Sequence, residues 1–250
     1  MIRVEGLYKS FEEKSVLFDI NATFRAGQVN MIIGKSGSGK TVLLKSLIGL
    51  HTVDQGHIYY GDRDITAMGN RQLRKVREEI GVVFQGGALF DSLTVLENVL
   101  FPLNLYTGFS EAEKIERARA CLQRVDLPDA DHFYPAEISG GMKKRVAIAR
   151  AIVMDPKYLF CDEPNSGLDP LTSILIDNLI KEITHEYKMT TIVNTHDMNS
   201  VFEIGEEIIF IHEGRKEWGG TKENVAHTDN AYLNEFIFSS ALYKKIKKYL

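Results

Sequence analysis

This sequence predicts an α/β fold built around a largely parallel sheet. Three observations predict it. Apolar, β-branched runs alternate with segments of helical periodicity. The first clear run of the alternation, VNMII, passes through a glycine-rich turn straight into a helical segment. The later runs end in polar residues, as strands do when their C-terminal ends line one ligand-facing edge of an open sheet. Composition agrees, with 250 residues of which 44% are hydrophobic and 26% charged, enough for one large domain with room for a subdomain.

The strand candidates, in order, are residues 29–33, 81–84, 158–161, 190–194 and 207–211. Between the second and third lies a long, mostly helical interval, roughly 86–150, that reads as an insertion into the α/β core. Within it Ser110 and Glu113 have the spacing of a capping box, and Ile115, Ala118, Leu122 and Val125 form an apolar stripe. A second helix is predicted to start at the N-cap Ser139, with Met142, Val146, Ala149 and Val153 at helical spacing. A third follows Asp169 and Pro170, a cap and a first-turn proline, with Ile176, Leu179, Ile180 and Ile183 on its buried face. No internal repeat or low-complexity linker is present.

Charge and cysteine usage exclude several function classes. Lys plus Arg number 30 against 34 Asp plus Glu, so a net charge of −4 gives no global attraction to nucleic acid or to an anionic membrane. Cys121 and Cys161 sit in an apolar helical pattern and an apolar strand run, which reads as two small buried hydrophobes in a reducing compartment. No apolar run approaches the roughly 18 residues of a membrane span. The expectation is a chain that stays in the cytoplasm unless a partner holds it elsewhere.

The strongest chemical signal is GKSGSGKT. Gly34, Lys35, Ser36, Gly37, Ser38, Gly39, Lys40, Thr41 and Val42 carry an apolar strand into a helix. Glycines let the backbone curl so that successive amides point at phosphate oxygens, and the following helix adds its positive end. Lys40 can reach the β and γ phosphates, and the Thr41 hydroxyl can ligate Mg²⁺. The complete spacing in strand, loop and helix order identifies a P-loop. A phosphate cradle alone suits a kinase, a switch GTPase or an ATPase. The run YLFCDEP then supplies Asp162 for the Mg²⁺ shell and Glu163 for the attacking water, two acids with separable roles that favour hydrolysis.

Weaker candidates surround these two motifs. His196 follows the strand TTIVNT, where it either meets the ligand or closes a turn. Gln85 follows GVVF and is a residue type that can report on metal and water, although a polar residue ending a strand is commonplace. Phe11 either stacks on an adenine ring or packs in a core. In ISGGMKKR the cations Lys143, Lys144 and Arg145 fall in the first turn of a helix, the end where the dipole disfavours them. An anion arriving there and a solvated basic face both account for that placement.

Taken together, GKSGSGKT, Gln85, ISGGMKKR, FCDEP, SGLDP and THD resemble, in order and spacing, the nucleotide-binding subunits of ABC transporters, over roughly residues 2–220. The resemblance implies a P-loop ABC-ATPase fold with a RecA-like core, a helical signature subdomain and an N-terminal antiparallel β region. It divides the chain into an ATPase domain, 1–225, with 1–85 and 151–225 as catalytic core and 86–150 as the helical subdomain, and a C-terminal extension, 226–250. ATP and Mg²⁺ are the implied ligands, with Thr41, Gln85 and Asp162 at the metal and Lys40, Glu163, Gln85 and His196 in catalysis. Ser139, Gly140, Gly141 and Met142 match the signature segment, which in this family faces the γ-phosphate held by a second copy, and Asp169 matches the D-loop Asp at that interface. Ile138 and Met142 depart from the usual Leu and Gln, and Asn165 stands where Thr is common, so a ribose contact at Met142 is in doubt.

The implied partners are a second copy of the chain and integral membrane permease subunits, seated in a cleft after Gln85 at the cytoplasmic side of a bacterial inner membrane. No nucleic acid is among them. FQGGALFDSLTVLENVLFPLNLY is rich enough in apolar residues for such a socket, or for ordinary packing of the helical subdomain. FQGGALFDSLTVLENVLFPL, ISGGMKKRVAIARAI and DEPNSGLDP further resemble the ATPases of Mla-type phospholipid transporters. That subgroup works with MCE-domain proteins, and a small regulatory subunit belongs to the same implied complex. A small-solute importer, a lipoprotein-releasing system and a non-transport ABC ATPase of translation or DNA repair are the alternatives. The C-terminal Lys244, Lys245, Lys247 and Lys248 suit an anionic membrane surface or a solvated helix end, and Phe236, Phe238 and Leu242 suit a clasp on a partner.

Overall fold

The computed structural model describes residues 1–225 and 227–238. The chain opens with a hairpin, β1 (Ile2–Phe11) and β2 (Lys14–Phe24), enters the main sheet as β3 (Gln28–Ile33) and turns into α1 (Lys40–Leu47). It rejoins the hairpin as β4 (Gln55–Tyr60) and β5 (Arg63–Asp64), and α2 (Asn70–Arg77) then leads to β6 (Ile80–Val83). The helical interval holds α3 (Val95–Tyr106), α4 (Glu111–Arg124) and α5 (Gly140–Ile152). Then follow β7 (Tyr158–Asp162), α6 (Pro170–Glu186), β8 (Thr190–Thr195), α7 (Met198–Ile204), β9 (Glu207–His212), β10 (Arg215–Gly220), α8 (Lys222–Val225) and α9 (Ala231–Ile237).

Two sheets result among the described residues. One is antiparallel, in the order β2-β1-β4-β5. The other runs β10-β9-β3-β8-β7-β6 and is parallel from β9 to β6, with β10 added antiparallel at its edge. All five strands read from sequence lie in this second sheet, with each boundary within one residue of the expectation. Their apolar runs are nearly continuous because both faces are covered. Met31, Ile33, Leu159, Cys161 and Val193 face the core shared with α3, α4, α5 and α6, whereas Ile32, Phe160 and Ile192 face the core beneath α1 and the antiparallel sheet.

The helical interval folds as its local signals dictate. Ser110 Oγ accepts from the Glu113 N–H at 3.3 Å while Glu113 Oε2 accepts from the Ser110 N–H at 2.7 Å, closing the capping box. Ala118, Leu122 and Val125 are fully buried. Ser139 and Asp169 cap α5 and α6 through the N–H groups of Met142 and Thr172. Close packing of α5 on β6 requires Gly81, where a Cβ would sit 2.3 Å from the Ala151 carbonyl oxygen. Gly81→Ala is expected to cost about 1–3 kcal/mol by overpacking, read as a lower urea midpoint with an unchanged slope.

At the C-terminal end, Phe236 and Phe238 do not clasp a partner. Both are buried in the main core, with the Phe236 ring 5.5 Å from that of Phe210. Leu242 and the lysines at 244, 245, 247 and 248 lie outside the described residues. Both cysteines are free thiols, Cys161 buried as expected and Cys121 only half-buried, and burial pushes Cys121 up to about 12 and Cys161 higher still.

Candidate active site

Parallel pairing brings the functional residues together. β6, β7, β8 and β3 are consecutive neighbours in the sheet, with Val83 opposite Cys161, Asp162 opposite Asn194 and Ile33 opposite Thr195. Their C-terminal ends therefore emerge side by side and deliver Gln85, Asp162 with Glu163, His196 and the P-loop to one edge, as open parallel sheets do.

The loop of residues 34–39 is built for close approach. Gly34 has φ +152, and a Cβ there would lie 2.2 Å from the Ile211 carbonyl oxygen, so only glycine fits. The Ser38 carbonyl accepts from the Gly214 N–H at 3.0 Å, while its buried Oγ has no protein partner, a polar atom available to a phosphate. Lys40 is buried, and its Nζ donates to the carbonyls of Gly34 at 2.8 Å and Lys35 at 3.1 Å. Burial lowers its ammonium below the ordinary lysine value, opposed by the carboxylates of Glu163 and Asp162.

Behind the loop, Thr41 Oγ1 lies 3.4 Å from Asp162 Oδ1, and Asn194 Nδ2 donates to both, at 3.2 and 2.5 Å. Asn194 carries no motif in the sequence; its one local signal is a lone amide inside the apolar strand TTIVNT. Among the described residues no three His, Cys, Asp or Glu side chains cluster as a metal cage. One hydroxyl and one carboxylate beside a phosphate cradle are the donor set that suits Mg²⁺, which keeps waters and shares its shell with substrate phosphates. The residues present thus fit the implied Mg²⁺.

Glu163 follows β7 in the left-handed region, φ +49, with its N–H bound to the Asn194 carbonyl at 2.8 Å. Its Oε1 lies 2.8 Å from His196 Nδ1, so the two candidate catalytic side chains form one unit. Gln85 is exposed and lies outside the Thr41, Asp162 and Asn194 group; its amide donates instead to Ser166 Oγ at 3.1 Å. Phe11 is 39% exposed, meets His51 edge-on at 5.0 Å and has Lys9 Nζ 5.0 Å from its ring centre.

Signature residues occupy a different cavity. Ser139, Gly140 and Gly141 line one of about 700 Å³ with Asp169 and Thr172, whereas Lys35, Ser36, Glu163 and His196 line another of about 560 Å³, and Gly167 alone is common to both. Ser139 Oγ already accepts from the Met142 N–H, which leaves its O–H as a donor. Met142 is half-buried against the core. The cations are not all aimed at an anion. Lys144 donates to the Gln85 carbonyl, and Arg145 caps the end of α4 through the Val125 and Asp126 carbonyls at 3.4 and 3.0 Å. Carbonyl groups of neighbouring segments therefore account for two of the three first-turn charges, Lys144 and Arg145.

Beyond Gln85, the stretch of apolar residues divides in two. Val95, Val99 and Leu103 enter the core, while Phe90, Phe101, Pro102, Leu105 and Tyr106 line an outer groove of about 510 Å³. Arg150 fixes the intervening loop through the Gly87 and Ala88 carbonyls, at 2.7 and 2.8 Å, and Asn98 is buried within it on four backbone contacts. Among the described residues no helix is long and apolar enough to cross a membrane.

Comparison with known proteins agrees with this geometry. The ABC transporter family model matches residues 17–166. A probable ribonucleotide transport ATP-binding protein, mkl, of Mycobacterium leprae is 36% identical over 94% of this chain and 68% of its own length. The methionine import ATP-binding protein MetN of Desulfitobacterium hafniense is 39% identical over 95% of this chain and 71% of its own. Among solved structures, the dimeric bacterial ABC transporter cassette MJ0796 has a TM-score of 0.81 at 33% identity, covering 88% of this chain and 98% of its own; it has also been captured as a dimer with ADP and Pi. CbiO1 of Clostridium perfringens, part of the ABC transporter complex cbiONQ, has a TM-score of 0.85 at 29% identity and covers 98% of both chains. With its P-loop, its paired acids and its signature helix in the arrangement described, this chain belongs to the ABC transporter family as an ATP-binding subunit that binds ATP with Mg²⁺ and hydrolyses it.

Proposed function

We propose that two copies of this chain together drive a membrane permease that imports a small solute. The pairing rests on the separation of the two cavities: the P-loop with Glu163 lines one and the signature segment lines the other, so each copy supplies what the other's nucleotide site lacks. The solute class is supported by the relatives named for methionine import and ribonucleotide transport, which align over more than nine-tenths of the chain. Phospholipid transport is the second reading, supported by the three segments that resemble Mla-type ATPases; an MCE-domain protein and a small regulatory subunit belong to that reading alone. In both, the groove beside Phe90 and Tyr106 receives the permease and holds the chain peripherally at the cytoplasmic face of a bacterial inner membrane.

In this reading hydrolysis is positioning and charge neutralisation. Lys40 turns its ammonium from the Gly34 and Lys35 carbonyls to the β and γ phosphates. Thr41 and Asp162, oriented by Asn194, would hold Mg²⁺, which would supply positive charge against that of the phosphates. Glu163 takes the proton of the attacking water, and His196, fixed by Glu163, donates toward the γ-phosphate. The Ser139 hydroxyl and the Gly140 and Gly141 amides of the second copy close the site at a helix N-terminus. Gln85 senses the site through Ser166, joined to the permease groove by the loop that Arg150 pins.

Affinity purification of the chain from detergent-solubilised membranes tests the assignment. A co-purifying permease, with hydrolysis stimulated by methionine or a ribonucleotide, is the expected result. Bound phospholipid and an MCE-domain partner would move the assignment to the second reading, and ribosomes or DNA in place of a permease would overturn both.

A further inference from the structure

Behind the Glu163 and His196 pair lies a second connection between the same two segments. Asn165, two residues beyond Glu163, donates through Nδ2 to Ser200 Oγ at 3.1 Å, and Ser200 stands on α7, four residues beyond His196. Asp177, projecting from α6, is buried beside them at 3% exposure, with Asn165 and Ser200 as polar neighbours, and lines one cavity with Asn165. Its Oδ1 has no hydrogen-bond partner among the described residues. A carboxylate buried to this degree with an unpartnered oxygen is costly, and the apolar side of α6 is already supplied by Ile176, Ile180 and Ile183.

We propose that Asp177 is a positioning residue for ATP hydrolysis: through Asn165 and Ser200 it fixes the loop carrying Glu163 against the segment carrying His196. The inference rests on the roles assigned above to Glu163 and His196. The front contact, Glu163 to His196 at 2.8 Å, and the rear contact, Asn165 to Ser200 at 3.1 Å with Asp177 buried beside it, close a frame of two bridges. With the rear bridge intact the front pair holds one spacing; with it broken, α7 and the loop move independently.

The charge of Asp177 makes the rear bridge sensitive to pH. Burial, with the carboxylates of Asp197 before α7 and Glu203 within it, raises the group from its ordinary 3.8 to about 6, while the polar neighbours Ser200 and Asn165 oppose the rise. Cys161 of β7 also faces it, its thiol protonated. The folded value lies above the unfolded one, so the native state binds the extra proton between about 3.8 and about 6. Stability therefore falls as pH rises through that window, and the ionised form strains the neutral-pH fold while it holds the bridge.

The test compares full-length wild type, Asp177→Asn, Ser200→Ala and Glu163→Gln in the complex recovered from membranes. Asp177→Asn should lower kcat about 3- to 30-fold, the range of such couplings, with KM for ATP little changed and a thermal midpoint at pH 7.5 no lower than wild type. Wild-type kcat should show an acid limb near pH 6 that Asp177→Asn lacks. Ser200→Ala keeps the carboxylate but removes a donor to its charged form, so its limb should move to higher pH; this variant stands alone if Asp177→Asn does not fold. An unchanged kcat, or a lowered one whose limb stays at its wild-type position in these variants, overturns the proposal while Glu163→Gln still abolishes turnover. Near-normal turnover in Glu163→Gln removes the underlying site assignment and this proposal with it.

Discussion

Glu163→Gln is expected to keep ATP bound while slowing its hydrolysis by about 10²- to 10⁴-fold, the range for loss of a general base. Glutamine has the size and hydrogen-bonding reach to stay beside His196 Nδ1, now 2.8 Å from Glu163 Oε1, but it cannot take a proton from water. The backbone there does not change, because the left-handed φ of +49 is held by the N–H bond to Asn194 and by the Ser166 N–H on the Glu163 carbonyl. Affinity and rate should thus separate cleanly. Single-turnover hydrolysis and nucleotide binding on the same preparation read both, and near-normal turnover would remove Glu163 from the role of base.

Lys40→Ala is expected to do the reverse and fail at binding. The side chain is buried, and its ammonium is the cation nearest the loop carbonyls of Gly34 and Lys35. Truncating one partner of a buried charged contact costs about 2–5 kcal/mol, so ATP affinity should fall about 30-fold or more. The two carbonyls lose their donor as well, which loosens the loop that presents the amides. Titration with a fluorescent ATP analogue measures the loss; wild-type affinity would show that the amides and Ser38 suffice without the ammonium.

These two variants act on residues that local sequence already marks. A P-loop is recognisable because its chemistry is compressed into eight consecutive residues. The parallel strands are recognisable because burial on both faces leaves runs such as YLFC almost without polar interruption. The antiparallel sheet is harder to read directly: β1 buries alternate residues, and its pairing with β2 shifts register three times, so no clean period survives in IRVEGLYKSF. It entered through the family resemblance alone.

The neighbourhoods of single side chains were less legible. Lys144 and Arg145 suit either an arriving anion or a solvated basic face by sequence, yet they bind the carbonyls of Gln85 and of the α4 terminus, segments 59 and 19–20 residues away. Phe236 and Phe238 read as a clasp for another subunit and are core residues of this one. Asn194 and Asp177 carried no motif at all.

Sequence by itself determined the parallel α/β core, the P-loop, the acid pair and the caps of α4, α5 and α6, because strand burial, turn chemistry and capping are set by residues within a few positions of one another. Tertiary structure alone decided that Asn194 joins Thr41 to Asp162, that Gln85 turns to Ser166, that the signature and the P-loop of one chain open into separate cavities, and that Asp177 sits behind the Glu163 and His196 pair. Each of these depends on which distant segments the sheet order makes neighbours, and no local pattern specifies that order.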